Sequence, residues 1–425
     1  MSKPPETEET IGLKHYQTET RGLGGKIRLK YDDFIVEEVL QGFKASPKRV
    51  CKGNVSCDKY YIYILEKKGV DTLEAIRRIS RNLNIEAYDI GFAGLKDANA
   101  LTYQFISLKG PKTLPCILNI DDFIKLYFFS CSSKRIVKGE NWGNCFLIKI
   151  RDTDVNADNE CYEVFEEILS EICSIGGLYP YFGHQRFGTI RPNTHRVGEK
   201  IVRRDWFGAV LELIGNPYPK EDPQVYEARK VFSETLDPKR ALRLFPKKFI
   251  YERIVLKKLV EGRGYVDALL ALPKHILKFY VEAFQAYLFN EYVNLRIEKG
   301  IKPSTAIEGD IIVRNGFFEK VLRERRIDPK EKVLLPLVGY MTKMGKGEAY
   351  DILKSVLESK NVELSMFKIR ELNITVKGGF RKSPMIIHNL SYACLERCLH
   401  LYFCLEKGMY ATIFLREVMK NEYVV

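Results

Sequence analysis

The residues best suited to chemistry lie in the segment FAGLKDANALTYQ (92–104), where Asp97 follows Gly94 and Lys96. Alternating apolar residues before and after this segment predict two strands joined by a glycine-bearing turn. Such a turn can present a short carboxylate from the rigid edge of a sheet. An ionised carboxylate can attack an electrophilic sugar carbon, or remove a proton beside it, without a cofactor. Taken alone, however, a carboxylate in such a segment is most often part of a solvated turn.

Other chemistries lack the motifs that they need. The segment GYMTKMGK (339–346) has five residues between its glycines where a triphosphate-binding loop has four, and Gly347 stands in place of its Ser or Thr. Neither RGLGGK (21–26) nor EGRGY (261–265) has the spacing of a dinucleotide or methyl-donor turn, and GxSxG is absent. The ten cysteines form no CxxC pair, and the six histidines show no HxxxH or HxH spacing. We therefore expect reduced thiols, no disulfide framework and no metal.

Composition narrows the class of partner. The chain has 425 residues, is 45% hydrophobic and 29% charged, and carries a formal net charge of +13. This is the balance of a globular protein whose surface attracts polyanions, and a nucleic acid is the default partner of such a surface. The polar N-terminus, MSKPPETEET, and the lack of a long apolar run predict a cytoplasmic protein with no membrane partner.

The hydrophobic pattern predicts an α+β fold. The segment YYIYILEKKG (60–69) is typical of a strand. Asp71 is typical of a residue that caps the start of a helix. The segment 155–177 is typical of an amphipathic helix that ends at two glycines. Residues from about 190 to 380 are predominantly helical and basic in character, whereas the last 40 alternate again, as if returning to the first sheet. We predict a flexible arm over 1–20, a discontinuous domain over 21–183 and 385–425, and an inserted domain over 184–384.

FAGLKDANALTYQ resembles the signature of the TruD family of pseudouridine synthases, in which Ala-Gly and Lys-Asp precede Ala, Thr and Gln at fixed offsets, here Ala100, Thr102 and Gln104. Six further segments resemble family motifs in the same order, so the resemblance covers residues 28–417. They are DFIVEE (33–38), GNCF (143–146), YFGHQRFG (181–188), AFQAYLFN (283–290), LPLVGY (335–340) and ATIFLRE (411–417). Departures are Ala283 and Ala286 in place of serines and Val338 in place of a second proline, and the insert is similar to that of archaeal members.

The resemblance implies a pseudouridine synthase catalytic domain built on a mixed, mainly antiparallel sheet with flanking helices. It also implies an inserted, mainly helical TRUD domain that faces this sheet across a cleft. Asp97 would be the catalytic aspartate, acting either as a nucleophile at the anomeric carbon or as a base at its neighbour, with no metal or organic cofactor. The expected substrate is uridine 13 in the D-arm of tRNA. Uridine 35 of tyrosine tRNA and uridines in mRNA are alternative substrates that the resemblance also allows. Oligomeric state is not encoded in any motif, and a monomer is favoured.

The same resemblance assigns roles to single residues. Arg28 is expected to be the basic partner of Asp97, with Arg416 as the second choice and Lys96 facing the RNA backbone. The residues expected to surround the uridine are Phe34, Asn144, Phe146 and Tyr410. Phe146 fits plain core packing equally well. His184 and Arg186 are candidate RNA contacts, although YFGHQRFG fits a rigid packing corner equally well.

Two other functions compete with this one. A non-catalytic RNA-binding or RNA-folding protein on the same scaffold would retain the basic surface but tolerate loss of Asp97, so the intact GLKD weighs against it. A tRNA methyltransferase would need a methyl-donor pocket, and no segment of the sequence predicts one.

Overall fold

In the computed structural model, residues 3–47, 51–96, 98–110, 112–155 and 157–421 are described. Their helices are α1 (Glu6–Glu9), α2 (Thr72–Leu83), α3 (Asp158–Ser174), α4 (Thr194–Val202), α5 (Trp206–Ile214), α6 (Pro223–Thr235), α7 (Pro238–Leu244), α8 (Ile250–Val260), α9 (Tyr265–Leu270), α10 (Lys274–Glu298), α11 (Glu348–Ser359) and α12 (Ala411–Met419).

The strands of the amino-terminal part are β1 (Gly24–Lys26), β2 (Phe34–Leu40), β3 (Phe43–Lys44), β4 (Asn54–Val55), β5 (Tyr60–Lys68), β6 (Ile90–Phe92), β7 (Leu101–Leu108), β8 (Leu114–Pro115), β9 (Ile117–Asp121), β10 (Ile124–Ser132) and β11 (Gly143–Thr153). The later strands are β12 (Thr305–Ala306), β13 (Ile311–Arg314), β14 (Phe317–Lys320), β15 (Arg325–Arg326), β16 (Lys332–Leu337), β17 (Lys368–Ile369), β18 (Ile374–Thr375), β19 (Gly379–Ser383), β20 (His388–Leu395) and β21 (Cys398–Glu406).

The described chain divides into two compact units. The sheet unit comprises residues 20–170 and 385–421, and the helical unit comprises residues 3–19 and 171–384. The change from the sheet unit to the helical unit falls between residues 170 and 171, inside α3, whereas the sequence predicts it at residue 183. A helix can run through such a boundary because its backbone hydrogen bonds are satisfied within the helix and need no partner from either unit.

The sheet unit is built on one large sheet with the strand order β20-β21-β11-β2-β7-β5-β10-β9. Three further short strands pair with its central strands, β1 with β11, β3 with β2 and β6 with β7. Only the β2–β7 pair is parallel among these described strands. The α+β prediction with a mainly antiparallel sheet is confirmed, and β20 and β21 return the chain to the first sheet as expected.

Strand β5 shows why this sheet has a core on both faces. Tyr61, Tyr63 and Leu65 pack in one cluster with the buried face of α2, whereas Ile62 and Ile64 pack in a second cluster. Successive side chains of a strand point to opposite faces, so a central strand covered on both sides must be apolar at nearly every position. The polar end of the strand, from Glu66 onward, leads to the loop that begins α2.

The helical unit contains α10, a 25-residue helix, and also a four-stranded sheet of order β14-β13-β16-β19. The prediction of a predominantly helical insert therefore misses this small sheet. Its strands are only four to six residues long, which is too short for a period of two to stand out in the sequence.

Residues 3–19 are not the loose arm that their composition predicts. Ile11 and Leu13 are buried at 0% and 1% exposure, and the side-chain amides of Asn290 and Asn294 donate to the carbonyls of Ile11 (2.9 Å) and Gly12 (3.0 Å). Ile11 and Leu13, which follow the acidic stretch, are buried, and the main chain beside them is bonded to α10. The polar composition of the segment did not predict this attachment.

The cysteines also differ from the prediction of reduced thiols. Four disulfides join strands, loops and helix α3 of the sheet unit, between Cys51 and Cys116, Cys57 and Cys131, Cys145 and Cys404, and Cys161 and Cys394. Their partners are 65 to 259 residues apart in sequence, so only the folded topology brings them together. Cys173 and Cys398 are the two free thiols.

The carboxy-terminal stretch 411–419 is a helix, α12, and not a continuation of the alternating strand. All nine of its residues are buried, so it has no polar face to mark a helical period. Among the described residues, no helix combines the length and the apolar character that crossing a membrane requires.

Candidate active site

The loop that carries the predicted catalytic aspartate connects β6 to β7 in the sheet unit. These strands pair in antiparallel fashion, with Phe92 opposite Ile106, so that both ends of the loop are held at the sheet. Asp97 itself lies outside the described residues. The local geometry is therefore given by the side chains that hold positions 94–96.

The main chain of Lys96 is fixed from two sides. Its amide N–H donates to Thr72 Oγ1 at 2.9 Å, and its carbonyl accepts from Lys67 Nζ at 3.3 Å. Gln104 extends this network, because its Nε2 donates to the Gly94 carbonyl (3.3 Å) and its Oε1 accepts from the Thr72 hydroxyl (3.0 Å). Lys67, Thr72 and Gln104 are all buried, so water does not compete for these bonds. The chain thus approaches position 97 from a backbone tied to β5, α2 and β7.

The side chain of Lys96 points inward and pairs with Glu38 of β2. Its Nζ lies 2.7 Å from Glu38 Oε1, and the two side chains are 6% and 0% exposed. The second carboxylate oxygen of Glu38 accepts from the amide of Phe105 at 3.1 Å. The expectation that Lys96 faces an RNA backbone is therefore wrong, because its charge is already neutralised inside the protein.

Aromatic rings line the neighbouring part of the sheet. Phe34, at the start of β2, makes an edge contact with Phe146 (centroids 6.2 Å apart), and Phe146 stacks on Phe403 at 5.3 Å. Phe414 of α12 completes the row, with its centroid 5.0 Å from that of Phe403. The Arg28 guanidinium lies 4.2 Å from the centre of the Phe34 ring. The structure therefore brings together Arg28 and Phe34, two of the predicted site residues, while Phe146 has the contacts of a core residue.

Arg28 and Phe34 are joined by a turn that is itself fixed by charge. Asp33 is buried, and its Oδ1 accepts from Arg151 Nε (2.9 Å) and Nη2 (2.7 Å), while its Oδ2 accepts from the amide of Lys30 (2.9 Å). Burial alone would raise the pKa of Asp33, but the bonds from Arg151 and Lys30 outweigh it and hold that pKa below its ordinary value. Asp33 is consequently ionised at neutral pH, and its bonds tie the turn before Phe34 to Arg151 of β11.

Two buried polar atoms, on the strands to either side of β2, have no hydrogen-bond partner among the described residues. They are Thr102 Oγ1 on β7 and Asn144 Oδ1 on β11. Both strands flank β2, where Val36 lies opposite Thr102 and Glu38 opposite Asn144. Because buried polar groups in proteins are nearly always satisfied, such atoms are candidates for contact with a ligand.

Tyr410 and Arg416 lie at the last helix of the sheet unit, α12. Tyr410 is the half-buried residue just before α12, and Arg416 is 1% exposed. Arg416 Nη1 is 3.1 Å from Glu417 Oε1, a carboxylate that is fully buried. The ion pair gives Arg416 an anionic partner of its own within the helix.

His184 and Arg186 belong to the helical unit. His184 is 6% exposed, with its Nε2 3.7 Å from Glu8 Oε1. Arg186 Nη2 donates to Glu282 at 3.3 Å, and its guanidinium lies 5.1 Å from the centre of the Phe279 ring. These contacts give YFGHQRFG the character of a packing corner, the second of its two predicted interpretations.

Several residues of the site were not predicted as functional. Glu38, Thr102 and Gln104 fall within the quoted motifs, so their positions carried a signal although no role was assigned to them. Lys67 and Thr72 carried none, because a lysine at the end of an apolar strand and a threonine after a helix cap are ordinary choices.

Three comparisons relate this site and fold to known proteins. The family model of TruD, tRNA pseudouridine synthase D, matches residues 10–418. A Thermococcus sibiricus protein named "Probable tRNA pseudouridine synthase D" is 34% identical, covering 96% of this chain and 97% of its own. A Pyrococcus abyssi protein of the same name is 35% identical, covering 96% and 98%. A crystal structure of the "Putative tRNA pseudouridine synthase D (TruD)" from Methanosarcina mazei superposes with a TM-score of 0.79 at 31% identity over 100% of both chains.

The mixed sheet with an inserted helical unit, the anchored GLKD loop and these comparisons define an isomerase, a pseudouridine synthase. Within that class, the chain belongs to the TruD family.

Proposed function

We propose that this protein converts uridine 13 in the D-arm of tRNA to pseudouridine, with Asp97 as its catalytic residue and no cofactor. The single observation that carries the proposal is the clamp on the loop that leads into Asp97. Glu38 neutralises Lys96 in the interior, while Thr72 and Lys67 hold its main chain. A catalytic group acts efficiently only when it is held in the reactive position, and this clamp fixes the chain as far as Lys96, the residue before Asp97.

The proposed reaction rearranges one bond. Asp97 either attacks the anomeric carbon or removes the proton from the neighbouring ribose carbon, and in both routes the bond from that anomeric carbon to N1 of uracil breaks. The freed uracil turns, its C5 bonds to the anomeric carbon, C5 loses its proton and N1 gains one. Asp97 returns to its starting carboxylate, so the product is an isomer of the substrate.

The uridine must leave its stack to reach Asp97, at a cost of a few kcal/mol. Phe34 and Tyr410 are the aromatic residues proposed to receive the base, since unpaired bases are held largely through their π faces. Asn144 Oδ1 and Thr102 Oγ1, for which the described part of the chain offers no partner, are proposed to contact the edge of the uracil, one as an acceptor and the other as a donor or acceptor. Arg28, beside Phe34, is the proposed basic partner of Asp97.

Lys96 and Arg416 support the site from within. Lys96 does so through its buried pair with Glu38, and Arg416 through its pair with Glu417 in α12. The RNA is held by the basic helical unit, where His184 and Arg186 shape the corner beside their own internal partners. The enzyme would act as a monomer in the cytoplasm.

The decisive experiment incubates unmodified tRNA with the wild type and with Asp97→Asn, followed by a pseudouridine-specific chemical stop. We expect a stop at position 13 with the wild type alone. A stop at position 35 of tyrosine tRNA, or in mRNA, would replace the proposed substrate position. Tight tRNA binding without product from the wild type at any uridine would instead identify a non-catalytic RNA-binding protein.

A further inference from the structure

The helical unit contains a cavity that the pseudouridine reaction does not use. Its volume is about 490 Å³, within the range of about 300–1,000 Å³ that is usual for ligand pockets. It lies where β13, β16 and β19 meet the start of α11, and the loop 341–343 borders it. That loop belongs to the segment GYMTKMGK, which the sequence excludes as a triphosphate-binding loop.

The mouth of this cavity combines exposed apolar surface with positive charge. Met341 and Phe380 line it although they are 61% and 54% exposed, and the ring of Tyr350 lies beside them. Lys343 and Lys377 also line it, are exposed, and form no ion pair with any residue that the structure describes. Flat apolar faces beside unpaired cations match a nucleobase that carries a phosphate.

The interior of the cavity is not an attractive site for a cation. Its one acidic lining residue, Asp310, is buried and bonded to Arg296, with Oδ1–Nη1 at 3.0 Å and Oδ2–Nη2 at 2.9 Å. The Asp310 carboxylate also accepts from the amide of Ile307. The charge of Asp310 is therefore neutralised, and the positive lysines at the mouth favour a ligand with negative charge.

Gly309 and Gly345 leave the space that the Tyr350 ring occupies. A Cβ at Gly309 would lie 3.0 Å from this ring, and a Cβ at Gly345 would collide with it. Gly309 also has φ +91°, a conformation that other residues rarely adopt. The aromatic wall is thus preformed, which lowers the entropy that binding must remove.

We propose that this cavity binds one unstacked nucleotide of the RNA, its base against Tyr350 and Phe380 and its phosphate at Lys343 and Lys377. The inference rests on the proposed function, because it takes the RNA substrate as the source of the nucleotide. Two separate lysines without a triphosphate loop suit the single charge of a phosphodiester. This nucleotide is distinct from the uridine that reacts, which is bound in the sheet unit.

The test measures the dissociation constant of an unmodified tRNA transcript with Phe380→Ala/Lys377→Ala. Both side chains are exposed, so the variant should fold, and thermal unfolding verifies this. Loss of one stacked base and one phosphate contact is expected to weaken binding by about tenfold or more. The matched control is Phe317→Ala/Lys320→Ala, an exposed aromatic–lysine pair on β14 of the same unit that lies outside this cavity, with an expected change below about twofold.

An unchanged affinity in the cavity variant, or equal losses in both variants, would overturn the proposal. Adenosine and uridine 5′-monophosphate, titrated by calorimetry, separate the two sources of a nucleotide. Micromolar binding that the cavity variant abolishes, with tRNA affinity intact, would assign the cavity to free nucleotides and reject RNA. Because these readouts are affinities, they remain decisive if the wild type forms no pseudouridine, the result that would refute the proposed function instead.

Discussion

Lys96 Nζ and Glu38 Oε1 lie 2.7 Å apart inside the sheet unit. Lys96 immediately precedes Asp97, the proposed catalytic aspartate. An ion pair so completely removed from water is held in one geometry, because either charge alone would be strongly destabilised there. The pair therefore couples strand β2 to the GLKD loop, and loosening it should alter catalysis before it alters RNA binding.

Replacing Glu38 by glutamine should lower the free energy of unfolding by about 3 kcal/mol and reduce kcat at least tenfold, because Lys96 loses its counter-charge. Urea unfolding and single-turnover pseudouridine formation measure the two effects. Glu37→Gln is the matched control, because Glu37 pairs with the more exposed Lys44. The free energy of unfolding of this variant should fall by less than about 1 kcal/mol. Comparable losses of turnover in the two variants would reject the positioning role.

A double variant separates positioning from stability. In Glu38→Gln/Lys96→Met no charge remains buried without a partner, so the free energy of unfolding should recover by a few kcal/mol. The kcat should stay low, because the bond that held the loop is absent. Full recovery of kcat together with stability would show that the pair serves folding alone.

Thr102→Val should leave the protein as stable as the wild type or slightly more stable, since its buried hydroxyl has no partner within the described chain to lose. The value of kcat/KM should fall about tenfold if that hydroxyl contacts the uracil. Thr153→Val is the comparison, because the Thr153 hydroxyl donates to the Arg397 carbonyl at 3.0 Å. Loss of that bond should lower the free energy of unfolding by about 1 kcal/mol. Unchanged kcat/KM in Thr102→Val would remove Thr102 from the site.

Tyr410→Ala should reduce turnover by about tenfold or more, the value of one base-stacking contact, while tRNA affinity changes little. The reason is that affinity comes mainly from phosphate contacts spread over the RNA. Tyr88→Ala, which removes a tyrosine that is 69% exposed in the same unit, should change neither quantity. A large loss of affinity with normal turnover would contradict the stacking role.

Local signals in the sequence were sufficient for many elements. The predicted helix after Asp71 begins there, with its carboxylate accepting from the amides of Leu73 (2.9 Å) and Glu74 (3.0 Å), and it ends at Asn84 in the left-handed conformation. Capping and periodicity are properties of neighbouring residues, so they can be recognised without the fold. Arg28 and Phe34, both named from the family resemblance, lie in contact.

Long-range pairings could not be predicted in this way. Lys67 reaches the Lys96 carbonyl only because β5 and the GLKD loop become neighbours in the folded sheet. The inward direction of Lys96 depends on Glu38, 58 residues earlier. Such partners are chosen by topology, which spacing along the chain does not encode.

The four disulfides predict how many free thiols the unreduced protein contains. Titration of the denatured, unreduced protein with a thiol reagent should find two free cysteines of the ten, Cys173 and Cys398, and all ten after reduction. Reduction should also lower the free energy of unfolding of the sheet unit by about 2–5 kcal/mol for each bond that is lost. Ten reactive thiols before reduction would contradict this pairing.

The helical unit should lose stability in mild acid because of His195. This ring is buried between Phe187 and Tyr287, with centroids at 5.3 and 5.0 Å. Burial, reinforced by Arg196 and Lys360 and opposed by a backbone bond to Thr10, lowers the pKa of His195 to about 3. Below pH 6.5 the unfolded chain binds a proton that the folded protein excludes, so unfolding is favoured increasingly down to about pH 3.

At pH 5 the expected loss is about 2 kcal/mol relative to pH 7, since each unit between the two pKa values contributes about 1.4 kcal/mol. Urea unfolding at both pH values measures it. In His195→Phe the ring is retained but cannot titrate, so this part of the pH dependence should disappear, even if stability at pH 7 is lower. His275→Phe, at an exposed position, should keep the wild-type dependence. A His195→Phe variant as sensitive to acid as the wild type would show that other groups cause the effect.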